Sequence, residues 1–112
     1  MSLDGRSSTV HRAGDRLANE RHLADLQAAA DRLDLGGEAR TYAEELFLSA
    51  AGDLDDRSKR AVVAASLYAG ALVAGERRSQ RAVADAADVS RLTVQSRWKE
   101  LLDGAGLEPP DW

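Results

Sequence analysis

Fourteen consecutive residues, Ala61 to Ala74 ("AVVAASLYAGALVA"), carry no charge. A helix that is apolar on every side has no face to give to water, so other elements must surround it. The run is too short for a membrane, which needs ~20 apolar residues. It is rich in small side chains (Ala61, Ala64, Ala65, Ser66, Ala69, Gly70, Ala71), which let neighbouring helices come close. Both prolines fall in "LEPPDW" at the end, and almost no segment alternates with period two. The expected class is therefore all-α: a single domain with a central helix wrapped by its neighbours, which a simple antiparallel bundle does not require.

Around this centre the pattern gives four more helices. The first is expected over 15–33, with Leu23, Leu26, Ala30 and Leu33 in one stripe and "DLGGEAR" ending it at Gly36 and Gly37. The second, 38–51, places Ala39, Tyr42, Ala43, Leu46, Phe47 and Ala50 on one face, and "GDLDD" ends it. The central third helix covers 57–74. A short fourth follows over 79–87, with the Ser79 hydroxyl as its N-cap, and a fifth runs from the Ser90 cap to about residue 103. Residues 1–14 and 104–112 read as tails flanking a domain at 15–103.

The 112 residues include no cysteine, so a disulfide framework and a zinc–thiolate site are both excluded, and a reducing compartment fits. No apolar export signal opens the chain, and the expected location is cytoplasmic. The formal net charge is -4, but it is unevenly spread. Residues 1–56 hold six bases and twelve acids; residues 57–99 hold nine bases and three acids. A basic segment in an acidic frame still attracts phosphate locally, because salt confines each charge to about a Debye length, ~10 Å.

That basic segment contains "SQRAVADAADVSRLTVQSRWKELL" (79–102), which has the layout of a helix-turn-helix. Such a motif needs a small residue where the helices touch, an apolar residue in the turn and an apolar anchor under the second helix. Ala84 and Val89 fit the first two, and Val94, Trp98 and Leu101 fit the anchor. The turn position often held by Gly is Asp88. With that anchor inward, Arg91, Leu92, Gln95, Ser96 and Lys99 face outward. Arg and Lys suit phosphate or guanine, Gln pairs with adenine, and Leu touches a thymine methyl. Ser90 and Thr93 sit at the helix N-terminus, where hydroxyls can donate to phosphate. Arg97 is expected nearer the core edge, packed or paired with an acid. Arg78, Ser79, Gln80 and Arg81 open the fourth helix, and Arg57, Lys59 and Arg60 open the third; all seven are candidate DNA contacts. The competing reading is a helical hairpin that only packs.

Two longer stretches, "LADLQAAADRLDLGGEARTYAEELFLSA" and "RSKRAVVAASLYAGALVAGERRSQRAVADAADVSRLTVQSRWKEL", resemble a cyclin-type repeat of the archaeal transcription factor B / TFIIB family over about residues 22–102. Within them "AASLYAGAL" resembles the family's buried third helix. "RRSQRAVADAADVSRLTVQSRWKEL" resembles the helix-turn-helix of its C-terminal repeat. The resemblance implies the five-helix cyclin-like fold and promoter DNA as partner, beside TATA-binding protein. In that family an apolar side chain and an Arg three residues later contact bases. The matching positions here are Leu92 and Gln95, so the charged base reader is replaced by an amide. Arg57 and Ser58 are more similar to the N-terminal repeat, where such a pair lies near the DNA backbone. Full members also carry a zinc ribbon and two repeats; this chain has room for one repeat. It is then either an excised fragment or a stand-alone DNA-binding transcription factor, and "MSLDG" and "EPPDW" at its ends slightly favour the second. The alternative is a cyclin-fold interaction module that binds a transcription protein without reading DNA.

No catalytic residue, metal ligand, cofactor or small-molecule substrate is expected. The two histidines, His11 and His22, read as a tail and a surface residue; His22 with Asp25 lacks a nucleophile. Asp53, Asp55 and Asp56 lack the ligand order of a calcium loop.

Overall fold

The computed structural model describes residues 19–52 and 54–106. They form α1 (Glu20–Arg32), α2 (Gly37–Ala51), α3 (Asp56–Val73), α4 (Gln80–Ala87) and α5 (Arg91–Gly104). No described residue is in a strand. The all-α, five-helix reading holds. Residues 15–18, where the first helix was expected to start, lie outside the described residues, as do the segments 1–14 and 107–112 of the two expected tails. No helix among the described residues is long and apolar enough to cross a membrane.

α3 is the centre. Every residue from Val62 to Leu72 is buried, and the helix touches all four others. Leu26 of α1, Phe47 of α2, Leu67 of α3, Val83 of α4, and Val94 and Leu102 of α5 meet in one fully enclosed core. The small residues of α3 serve the close approach that the sequence suggested. At Gly70 a Cβ would stand 2.8 Å from the backbone nitrogen of Ala43 and 2.9 Å from the carbonyl oxygen of Ala39. Helices α2 and α3 thus cross backbone against backbone.

The end of α1 differs from expectation. The chain reverses at Asp34, which takes a left-handed conformation (φ 55°), before either glycine is reached. The Asp34 N–H donates to the Asp31 carbonyl and the Leu35 N–H to the Ala30 carbonyl, which is the Schellman arrangement. Leu35 is buried beyond the turn, the apolar contact that accompanies such a motif. Gly36 is then the N-cap of α2 (φ -78°, ψ 176°) and starts a helix instead of stopping one.

A glycine cap offers no side-chain oxygen, and the connection between α3 and α4 supplies one. The Gly36 N–H donates to Glu76 Oε1 at 2.9 Å, placing a carboxylate at the positive end of α2. Two residues on, Arg78 donates from Nε to the Leu33 carbonyl at 2.9 Å and from Nη2 to the Asp34 carbonyl at 3.1 Å. Its Nη1 also reaches the Glu76 carbonyl at 2.7 Å. Glu76 and Arg78 therefore clamp the α1–α2 turn from across the molecule.

His22 is not a surface residue: it is 6% exposed. The inward stripe of α1 runs His22, Leu26, Ala29, Ala30, while Leu23 is only half-buried. Its partner is Asp56 at the start of α3, not the exposed Asp25; His22 Nε2 lies 2.9 Å from Asp56 Oδ1. Arg21 pairs with the same oxygen. Desolvation works to raise the Asp56 pKa, but the His22 hydrogen bond and the Arg21 charge outweigh it and hold the carboxyl below its ordinary value.

Candidate nucleic-acid interface

Helices α4 and α5 meet across a tight turn, each started as its residues dictate. The Ser79 hydroxyl accepts from the Ala82 N–H at 3.0 Å and starts α4; the Ser90 hydroxyl accepts from the Thr93 N–H at 3.2 Å and starts α5. Between them Asp88 adopts the left-handed conformation (φ 58°, ψ 48°) that the tight turn demands. The Val89 N–H closes the turn on the Ala84 carbonyl at 2.9 Å, and Val89 itself is half-buried under it.

The anchor of α5 is Val94, Trp98 and Leu102, all buried; Leu101, expected in that role, is only half-buried. Trp98 meets Tyr68 of α3 edge to face, with ring centroids 5.2 Å apart. Exchanging Leu101 for Leu102 in the anchor turns the helix by about 30° at 3.6 residues per turn. That turn carries Arg97 away from the core edge. Arg97 is exposed, and among the described residues no acid pairs with it. Arg97 thus joins the candidate residues, and the sequence hid it because two adjacent leucines both continue the stripe.

The outward face is as expected. Arg91, Leu92, Gln95, Ser96 and Lys99 are all exposed, and Leu92, at 68%, is one of the large apolar side chains standing in solvent. Arg91 Nη1 lies 3.4 Å from Gln95 Oε1, so a guanidinium sits beside the amide one turn away. Lys99 Nζ lies 5.6 Å from the Trp98 ring centroid.

Beside this face runs a groove of about 470 Å³ between the starts of α3 and α5. Its cations are Arg57, Arg60 and Arg97; Ser58, Ser90, Thr93 and Ser96 supply hydroxyls, and Asp88 stands among them. Arg60 Nη2 reaches the Asp88 carbonyl at 3.3 Å and Asp88 Oδ2 at 3.5 Å. The two acids that open α3 are otherwise engaged. Asp56 holds Arg21 and His22, and Asp55 caps the helix by accepting from the Ser58 N–H at 2.7 Å. The Ser58 hydrogen bond keeps the Asp55 pKa below its ordinary value.

The structure does not bring every candidate together. Lys59 is half-buried and does not line the groove. Gln80 is half-buried and Arg81 exposed, both on α4. Arg78 is held by backbone carbonyls and serves the clamp. Hydrogen bonds from a charged group contribute about 1.5–3 kcal/mol each, less where water competes. Arg78→Ala is accordingly expected to lower stability by about 2 kcal/mol in urea titrations. The affinity of the folded protein for DNA should stay within twofold of the parent. Among the described residues no three acids, histidines or cysteines are placed to hold a metal ion.

The sequence matches the family model described as "Transcription factor TFIIB repeat" over residues 18–104. The chain belongs to the TFIIB family. The TFIIB repeat accounts for the cyclin-like layout around α3. Similar proteins include the transcription initiation factor IIB of Pyrococcus horikoshii, 40% identical over 83 residues, covering 72% of this chain and 28% of the relative. That of Haloarcula vallismortis is 34% identical over 80 residues, covering 70% of each. Transcription initiation factor IIB 4 of Halobacterium salinarum is 32% identical, covering 96% of this chain and 44% of the relative. The chain thus spans little more than a quarter of the Pyrococcus factors it matches, and the TFIIB match takes in both helices of the motif and the start of α3.

Proposed function

We propose that this TFIIB repeat is a transcription factor module that docks on promoter DNA, with α5 in the major groove and the adjoining arginines on one phosphate backbone. The observation that carries the reading is the pairing of two surfaces on one helix. One flank of α5 offers Leu92, Gln95 and Lys99 to base edges, with Ser96 between; the other faces the groove where Arg57, Arg60 and Arg97 converge. A major groove ~12 Å wide admits a helix of ~10–12 Å diameter, which leaves phosphates on both sides of it. The arginines then position the domain, and Gln95 and Leu92 provide readout suited to adenine and thymine. The names of the relatives support a role in transcription initiation, and the family resemblance adds TATA-binding protein as a partner on the same DNA.

The test is fluorescence anisotropy with a labelled TATA-containing duplex and a scrambled one, over a range of salt, with and without TATA-binding protein. Each phosphate-binding cation removed should flatten the plot of log affinity against log salt by ~0.9. Replacing Arg57, Arg60 and Arg97 together by Gln should therefore flatten it by ~2–3 and weaken binding by ~100-fold or more at low salt. Unchanged binding would sink the proposal.

A second reading has its own support. The exposed acids of α1 and α2, among them Glu20, Asp25, Glu38 and Glu45, lie outside the groove and suit a basic protein surface. That reading predicts complexes that form without DNA and survive the triple arginine replacement.

A further inference from the structure

We propose that Asp88 is a built-in competitor for the phosphate seat made by Arg57, Arg60 and Arg97, limiting how tightly the groove holds a nucleic-acid backbone. The inference rests on reading the groove as the DNA-facing surface. Asp88 is the acid among the groove's lining residues. Its side chain is 96% exposed, yet its carboxylate turns to Arg60 at 3.5 Å.

The turn does not need that carboxylate. Asp34 holds the same left-handed conformation at the end of α1, where no described residue bonds its side chain. Glycine adopts such angles freely, so the backbone would accept an uncharged residue. Nor does the ion pair hold the fold together. It is long, and the Arg60 side chain is 47% exposed; pairs this wet contribute little to stability.

What the carboxylate does alter is the local field. A phosphate entering the seat meets one negative charge among three positive ones, and it must draw Arg60 away from Asp88. Binding becomes an exchange of one anion for another. The penalty is electrostatic, so salt should screen it. Removing the charge leaves Arg60 only its contact with the neutral Asp88 carbonyl at 3.3 Å, so no anion competes with the phosphate.

Two variants separate charge from backbone. Asp88→Asn keeps the size and the tolerance for left-handed angles; Asp88→Gly removes the side chain. Each is titrated with a labelled promoter duplex by anisotropy. Each is also titrated with inorganic pyrophosphate, followed through the arginine Nε–H signals by NMR. Both variants should bind the duplex about 3–10-fold more tightly at low salt, with a salt dependence steeper by ~1. Pyrophosphate should likewise bind more tightly and shift the signals of Arg57, Arg60 and Arg97. In an Arg60→Gln background the gain from Asp88→Asn should fall below twofold.

Equal pyrophosphate affinity in parent and variants would overturn the proposal. So would an undiminished gain without Arg60, since the effect would then be one of net charge alone. Tighter pyrophosphate binding with no duplex binding by any form would keep the role of Asp88 and sink the DNA-docking reading instead.

Discussion

Gly70→Ala is expected to destabilise the domain by about 2–3 kcal/mol, within the range for overpacking a tight contact. The sign is the point of interest. Glycine in mid-helix is less favourable than alanine by about 0.8–1.0 kcal/mol, so propensity alone predicts a gain. The added methyl, however, would meet backbone and not the end of a side chain: Ala43 nitrogen at 2.8 Å and Ala39 oxygen at 2.9 Å. Backbone cannot swing aside as a rotamer can. Helix α2 must move off α3, loosening the packing of Phe47 and Leu46 behind it. Urea titration would show the midpoint falling at nearly constant slope. A rise in stability would mean that α2 and α3 do not cross this closely.

Trp98→Ala should cost still more, about 3–5 kcal/mol, as for other large aromatics removed from a core. Trp98 is only 9% exposed, and it holds α5 against α3 through its edge-to-face contact with Tyr68. A contact of that type adds ~0.5–1.5 kcal/mol beyond the buried area. Trp98→Phe should recover over half of the loss while leaving the surface of α5 unchanged. Thermal melts would separate the two variants by about 10 °C or more, given 4–8 °C per kcal/mol in a domain of this size. The alanine variant should also bind DNA more weakly than its folded fraction accounts for, since α5 would no longer be held at one angle. If binding tracked the folded fraction alone, α5 would be placed by Val94 and Leu102 without the ring.

Much of this fold is legible in the sequence because the signals are local. The run without charge from Ala61 to Ala74 points to the wrapped centre, and Ser79 and Ser90 mark helix starts by chemistry that acts over three residues. Asp88 is recognisable as the turn because both flanking helices are already placed. The differences arise where two local solutions are equally good. Leu101 and Leu102 both continue the stripe from Val94 and Trp98, and only the position of α3 selects between them. That choice fixes whether Arg97 faces core or groove. Gly36 and Gly37 have the look of stop residues, but Asp34 tolerates left-handed angles and ends the helix first. The remaining surprises are distant in sequence. Arg78 reaches Leu33 across 45 residues, and His22 reaches Asp56 across 34. Neither pairing has a periodicity to announce it.

The all-round burial of α3 has a consequence for the order of events during synthesis. The chain emerges from its N-terminus, and domains form as their parts become available, at ~5–20 residues per second. When α3 leaves the ribosome, α1 and α2 are the helices of this domain already made to shelter it. The sides that α4 and α5 later cover, including those under Val83, Val94 and Leu102, remain wet until the last residues of the domain are made. For that interval the nascent chain displays a long greasy rod with one side protected. The α4–α5 pair is therefore the lid that completes the fold, and a message truncated before residue 90 would yield a product prone to clump instead of a smaller working protein.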